Sequence, residues 1–108
     1  MKLNIYENKN IVKTYTAERY DLMLGTLEDV ANAVKIDELK TGSDKEILMF
    51  VFDLVKSSMG TVKELMHEVF DGITDEELRK TKVSEIVTVI SEIVKITITE
   101  LGKGFGKN

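Results

Sequence analysis

The sequence predicts a mostly α, α+β fold: a small helical domain with an N-terminal β-hairpin. Three observations predict it. A β-prone run alternates from Lys2 to Tyr6, turns at Glu7-Asn8-Lys9-Asn10, and resumes from Ile11 to Thr16. From Gly25 onward, apolar residues recur at helical spacing behind well-marked starts. The length of 108 residues fits one core and one domain. The hairpin is assigned to residues 1–17, the helical part to residues 26–102 and a flexible C-terminal tail to residues 103–108, so the domain spans residues 1–102.

In the first strand Leu3 and Ile5 alternate with Lys2, Asn4 and Tyr6. In the second, Ile11 and Val12 are adjacent, which blurs the alternation and leaves the inward face and the strand pairing open. Residues 18–24 read as irregular structure or a short extra strand. A two-stranded ribbon is marginal in water, so it must lie on helices or pair with another chain.

The helical part is read from its caps. Thr26 precedes Leu27, Val30, Ala31 and Val34, with Asp29 at the third helical position. Ser43-Asp44-Lys45-Glu46 and Thr61-Val62-Lys63-Glu64 both read as capping boxes. Gly42 and Gly60 stand where a preceding helix should stop. Gly72 closes the helix of Val62, Leu65, Met66, Val69 and Phe70, and Thr74-Asp75-Glu76-Glu77 opens another, with its acids at the positive end of the helix dipole. The acid-rich stretch Phe70 to Val87 is therefore a helix stop, a restart and a short charged helix, not a set of catalytic carboxylates. Val83 to Leu101 is assigned to helix although residues 95–100 alternate like a strand, because Val83, Ile86, Val87, Ile90, Ile93 and Val94 keep helical spacing. Gly102 is its stop.

Little in the chain suggests chemistry. There are no cysteines, which excludes disulfides, thiolate catalysis and cysteine metal sites. The single histidine, His67, falls on the polar side of its helix and reads as a surface residue. Gly102 to Lys107 resembles a phosphate loop, but it follows a helix and carries Asn108 where Ser or Thr is needed. The 19 acids form no calcium-loop pattern. The expectation is no catalytic, cofactor-binding or metal-binding residue, and no enzyme. A net charge of −4 has the wrong sign for neutralising phosphates, so no nucleic-acid partner is expected. No secretion signal is visible, and the longest apolar run, Ile47 to Phe52, is far short of a bilayer span, so the cytosol is the default and no membrane partner is expected.

Two helices carry unusually wide apolar arcs. In Val83 to Leu101 the stripe is widened by Val89 and Ile96, and in Ile47 to Met59 by Met49, Phe50, Val51 and Phe52. Such helices are either central and covered by neighbours, or they form a self-association or partner surface. Met49, Phe52, Val89 and Ile96 are the candidate surface residues, and a homo-oligomer is expected.

MKLNIYENKNIVKTYTAERYDLMLGTLEDVANAV (residues 1–34) and VFDGITDEELRKTKVSEIVTVISEIV (residues 69–94) resemble the tail assembly chaperones of long-tailed, siphovirus-type phages and prophages of Gram-positive bacteria. The most specific element is the helix break followed by TDEELRKTKV, Thr74 to Val83; Asp71 stands where the family's pattern carries proline. The resemblance implies a protein of the host cell cytoplasm, absent from the mature virion. It implies binding of the tape measure protein, which is kept soluble while tail tube subunits polymerise around it. It also implies self-association, and a translational frameshift near the C-terminus giving a longer form that binds tail tube protein. Gly106-Lys107-Asn108 is compatible with a slippery run of adenines. The alternatives are a phage or bacterial regulatory adaptor that binds a folded partner, and a small enzyme whose site is assembled across subunits.

Overall fold

The computed structural model describes residues 1–101. The chain opens with an antiparallel hairpin, β1 (Lys2–Glu7) and β2 (Asn10–Thr16), in which Leu3 faces Tyr15 and Ile5 faces Lys13. Asn8 and Lys9 form the turn with φ of 52° and 69°, the left-handed geometry that matches the twist of a two-residue hairpin loop. The register slips between Ile5 and Tyr6, where β2 holds one extra residue, Val12. This bulge is why Ile11 and Val12 break the alternation. Leu3 and Ile5 are buried against the helices, so the inner face of β1 is settled.

A single 3-10 turn, Arg19–Asp21, leads to α1 (Leu24–Val34). The helix starts after Met23 with no side-chain cap, and Thr26 is not the cap the sequence suggests. Thr26 is buried on the face of Leu27, Val30 and Val34, and its hydroxyl lies beside the Glu68 carboxyl instead of an end amide. Lys35, with φ of 60°, closes α1 in a left-handed cap. A 3-10 turn at Ile36–Glu38 and Gly42, with φ of 68°, bring the chain to α2 (Asp44–Ser57). Here Ser43 caps as expected: its Oγ accepts from the Glu46 amide at 3.1 Å.

The next boundary differs from expectation. α3 (Met59–Val69) follows α2 with only Ser58 between them, at φ −144° and ψ 58°. Gly60 and Thr61 therefore lie inside the first turn of α3 and are neither stop nor cap. The Ser57 hydroxyl donates to the Asp53 carbonyl at 2.7 Å in the closing turn of α2, and the Val62 amide donates to the Ser58 carbonyl at 3.1 Å in the opening turn of α3. One residue outside the helical and extended regions does what the glycine was expected to do.

α3 ends at Val69, with Phe70 already extended at φ −110° and ψ 99°, so Gly72 does not close the helix as expected but takes the left-handed position, φ +87°, in the turn beyond it. The short α4 (Asp75–Leu78) carries the full capping box: Thr74 Oγ1 accepts from the Glu77 amide at 3.1 Å, and the Glu77 carboxylate accepts from the Thr74 amide at 3.1 Å. α5 (Val83–Leu101) is one helix through residues 96–101. Its threonines donate their hydroxyls one turn back, Thr97 to the Ile93 carbonyl at 2.7 Å and Thr99 to Lys95 at 3.0 Å. That settles their polar groups inside a helix otherwise rich in β-branched residues. The expected tail, residues 103–108, lies outside the described residues.

The fold is organised around α5. α1, α2 and β1 all pack against it, and Ile90, Ile93 and Val94 are fully buried. The result is an elongated body of 48 × 26 × 20 Å.

Candidate partner-binding surface

The four candidate surface residues divide by helix. On α2, Met49 is 61% exposed and Phe52 46%. They share with Leu48 the side of the helix away from the buried Ile47, Val51 and Leu54. Lys45 and Lys56 project from the same outward side, so the face is apolar with a cation at each end. On α5, Val89 is 2% exposed and Ile96 7%, and neither forms surface. The breadth of the α5 arc is used up inside the chain, because α1, α2 and β1 approach that helix from several sides. Of the two wide arcs, the one left exposed is therefore that of α2; Tyr20, Met23 and Leu24, ahead of and at the start of α1, are exposed as well.

A second apolar feature joins it. Met59, Val62 and Met66 of α3, Leu78 of α4, and Val83 and Ile86 of α5 line a groove of about 260 Å³. Lys63 and Arg79 also line it. Met59 and Val83 are exposed at the groove.

The polar groups are engaged in holding elements together. Glu85, at the start of α5, is an anchor the sequence reading missed. Its carboxylate accepts from the Asn4 amide at 3.0 Å, the Asn4 side chain at 3.4 Å and the Tyr6 hydroxyl. Partial burial works to raise its pKa, but these bonds outweigh it and the group is held below the ordinary glutamate value. The one local signal was an acid beside Ile86 on the margin of an apolar arc. The Tyr6 amide donates to the Lys80 carbonyl at 2.8 Å. Across the hairpin, Glu77 accepts from the Tyr15 hydroxyl at 2.6 Å and from Lys13 at 3.2 Å, and the Tyr15 bond is the first cause of its lowered pKa.

Glu46 was expected to close a capping box on Ser43, and it does not. It reaches past Ser43 to accept from the amides of Lys40, Thr41 and Gly42 at 2.7–2.8 Å, and these bonds hold it down to about 2. His67 is exposed as expected, but it meets Asp75 at 2.6 Å across the Gly72 turn, which lowers the Asp75 carboxyl. On α3, Glu68 is raised by partial burial and by its neighbours Asp29 and Glu64. Among the described residues, no group of three or more His, Asp or Glu is placed to hold a metal ion, and no helix is long and apolar enough to cross a membrane.

Compared with known proteins, the chain matches no family model, no curated protein and no solved structure.

Proposed function

We propose that this chain is a non-catalytic phage tail assembly chaperone. In this reading it binds the tape measure protein in the host cell cytoplasm, keeps it soluble, and supports tail tube polymerisation without entering the mature virion. A longer frameshifted form would add binding to tail tube protein, and copies of the chain would self-associate. The resemblance of residues 1–34 and 69–94 supports it. The structural observation that carries it is the outward face of α2. Leu48, Met49 and Phe52 stand exposed on a helix whose opposite side already fills the core. An apolar stripe with a lysine at each end suits the apolar face of a helix with acidic flanks, held by side-chain packing and charge.

The test is co-expression with the tape measure protein encoded beside it. The soluble fraction of the tape measure protein should rise several-fold with the wild-type chain. It should fall back with the Met49→Asp, Phe52→Asp double variant, whose folding is checked by circular dichroism. An equally insoluble tape measure protein with and without the wild-type chain would overturn the reading. Co-purification of one folded partner under those conditions would favour a regulatory adaptor.

A further inference from the structure

The two edges of the hairpin are treated differently. On the β1 edge, the amides of Asn4 and Tyr6 turn away from β2 and are taken up by Glu85 and by the Lys80 carbonyl. In an antiparallel pair, residues directly opposite turn their backbone groups the same way, both toward the partner strand or both away from it. Asn4 faces Thr14 and Lys2 faces Thr16, so Thr14 and Thr16 turn their amides and carbonyls to the outside of β2. Among the described residues nothing bonds the backbone amides of Thr14 or Thr16. One edge is closed by the body of the protein and the other is open.

Open edges are ordinarily guarded by charge, proline or irregularity. β2 has no proline. Its bulge at Val12 sits toward the turn and leaves residues 13–17 regular. Its one lysine after the turn, Lys13, is drawn back over the Tyr15 ring at 4.6 Å and bonded to Glu77 at 3.2 Å. What remains along the edge is Ile11, Val12, Thr14 and Thr16, all strand-forming residues, with Ile11 and Val12 each 55% exposed.

We infer that β2 is the joint between two copies of this chain: the β2 strands of two protomers pair antiparallel about a two-fold axis at Tyr15, making a four-stranded sheet across the dimer. The register follows from the regular part of the strand and from charge. A two-fold axis can pass through a facing pair of either kind, backbone groups outward or inward. An axis at Lys13 would set the two Lys13 side chains against each other, and an axis at Thr16 would set Lys13 against the partner's Arg19. An axis at Val12 or Thr14 would carry the pairing into both bulges. At Tyr15 the pairing runs over residues 13–17, each Thr14 exchanges its open backbone groups with the partner's Thr16, each Lys13 faces the partner's Ala17, and no like charges meet. This gives the proposed self-association a surface, yet it depends on nothing that the α2 face binds, so either can fail alone.

The experiment is sedimentation of the full chain from low micromolar to high micromolar concentration. The wild type should shift from one chain to twice that mass. Thr14→Pro removes only an outward amide, as an edge strand tolerates, and should remain at one chain. The double variants Thr14→Lys, Thr16→Lys and Thr14→Glu, Thr16→Glu place like charges in both facing pairs beside the axis and should each stay monomeric, while their equimolar mixture should recover the doubled mass. That recovery cannot come from misfolded protein. The Phe52→Asp variant should dimerise like the wild type. A wild type that stays monomeric would overturn the inference, and so would a Thr14→Pro variant that dimerises normally or a mixture that does not recover. If the monomeric wild type instead bound a partner's extended segment and Thr14→Pro abolished that binding, the edge would serve a foreign strand and the second-copy joint would be wrong.

Discussion

Replacing Ile96 and Met49 by alanine, one at a time, tests which helix holds the core. Both residues lie in wide apolar arcs, but Ile96 is 7% exposed and Met49 is 61% exposed. Ile96→Ala removes three carbons from a packed site. At about 0.8 kcal/mol per buried carbon the transfer loss is about 2.4 kcal/mol, and the cavity left behind carries the total into the range of about 2–5 kcal/mol. Met49→Ala removes surface that is mostly in water already, and alanine is at least as good a helix former. Its cost should stay within about 0.5 kcal/mol. The assay is urea unfolding at low micromolar concentration, followed by far-ultraviolet circular dichroism because the chain has no tryptophan. With a slope of about 1–3 kcal/mol per molar, a loss of about 3 kcal/mol moves the midpoint down by about 1–3 M. The Met49→Ala midpoint should hardly move. Equal shifts for the two variants would refute the assignment of α5 to the core and of the α2 face to the surface.

Three further outcomes are expected. Thr74→Ala should cost about 0.5–2 kcal/mol through the lost cap and leave the proposed tape measure binding unchanged, measured by thermal unfolding beside the co-expression assay. Glu46→Gln should lower stability above about pH 4.5 and make the fall in stability on the acid side shallower. The Glu46 carboxyl is lowered from 4.5 to about 2 in the fold, so its contribution is full above about pH 4.5 and disappears as pH falls through about 2. Unfolding curves of the two proteins should therefore differ by a constant amount above that window and converge within it. Gly72→Ala should cost about 1–2 kcal/mol, because its φ is +87° although a Cβ would meet nothing within 4 Å. Gly60→Ala should be neutral or gain up to about 1 kcal/mol, because Gly60 lies in a helix. A destabilised Gly60→Ala would mean that the glycine is a stop after all.

Features decided within a few residues were legible in the sequence. The hairpin turn at Asn8 and Lys9, the Ser43 cap and the Thr74 box each satisfy backbone groups locally, and each is where the pattern places it; Gly72 makes the turn after α3, which itself stops at Val69. The Thr61 pattern misled because a capping box describes a possible start, while the actual start depends on where the preceding helix breaks. Ser58 breaks it three residues earlier by a single non-helical conformation. Thr26 misled for a related reason, since its hydroxyl is drawn toward Glu68 of another helix. The candidate surface was half legible. A wide apolar arc announces that a helix will be covered on several sides, but it does not say by what. For α5 the cover is α1, α2 and β1, and Val89 and Ile96 vanish beneath it. For α2 no such cover exists at Met49 and Phe52 among the described residues. Glu85 was illegible because its partners, Asn4 and Tyr6, stand at the far end of the chain.

That distance sets an order of events at the ribosome. Asn4 and Glu85 are 81 residues apart, and Tyr6 and Glu85 are 79 apart. At about 5–20 residues per second, Glu85 is made about 4–16 s after the strand it will hold. The hairpin is thus synthesised well before the helix that seats it. Its turn and cross-strand pairs can form within microseconds, but Leu3 and Ile5 wait for the start of α5 to leave the exit tunnel before that helix can cover them. During those seconds the nascent chain carries a short amphipathic ribbon whose apolar face is open to other partners.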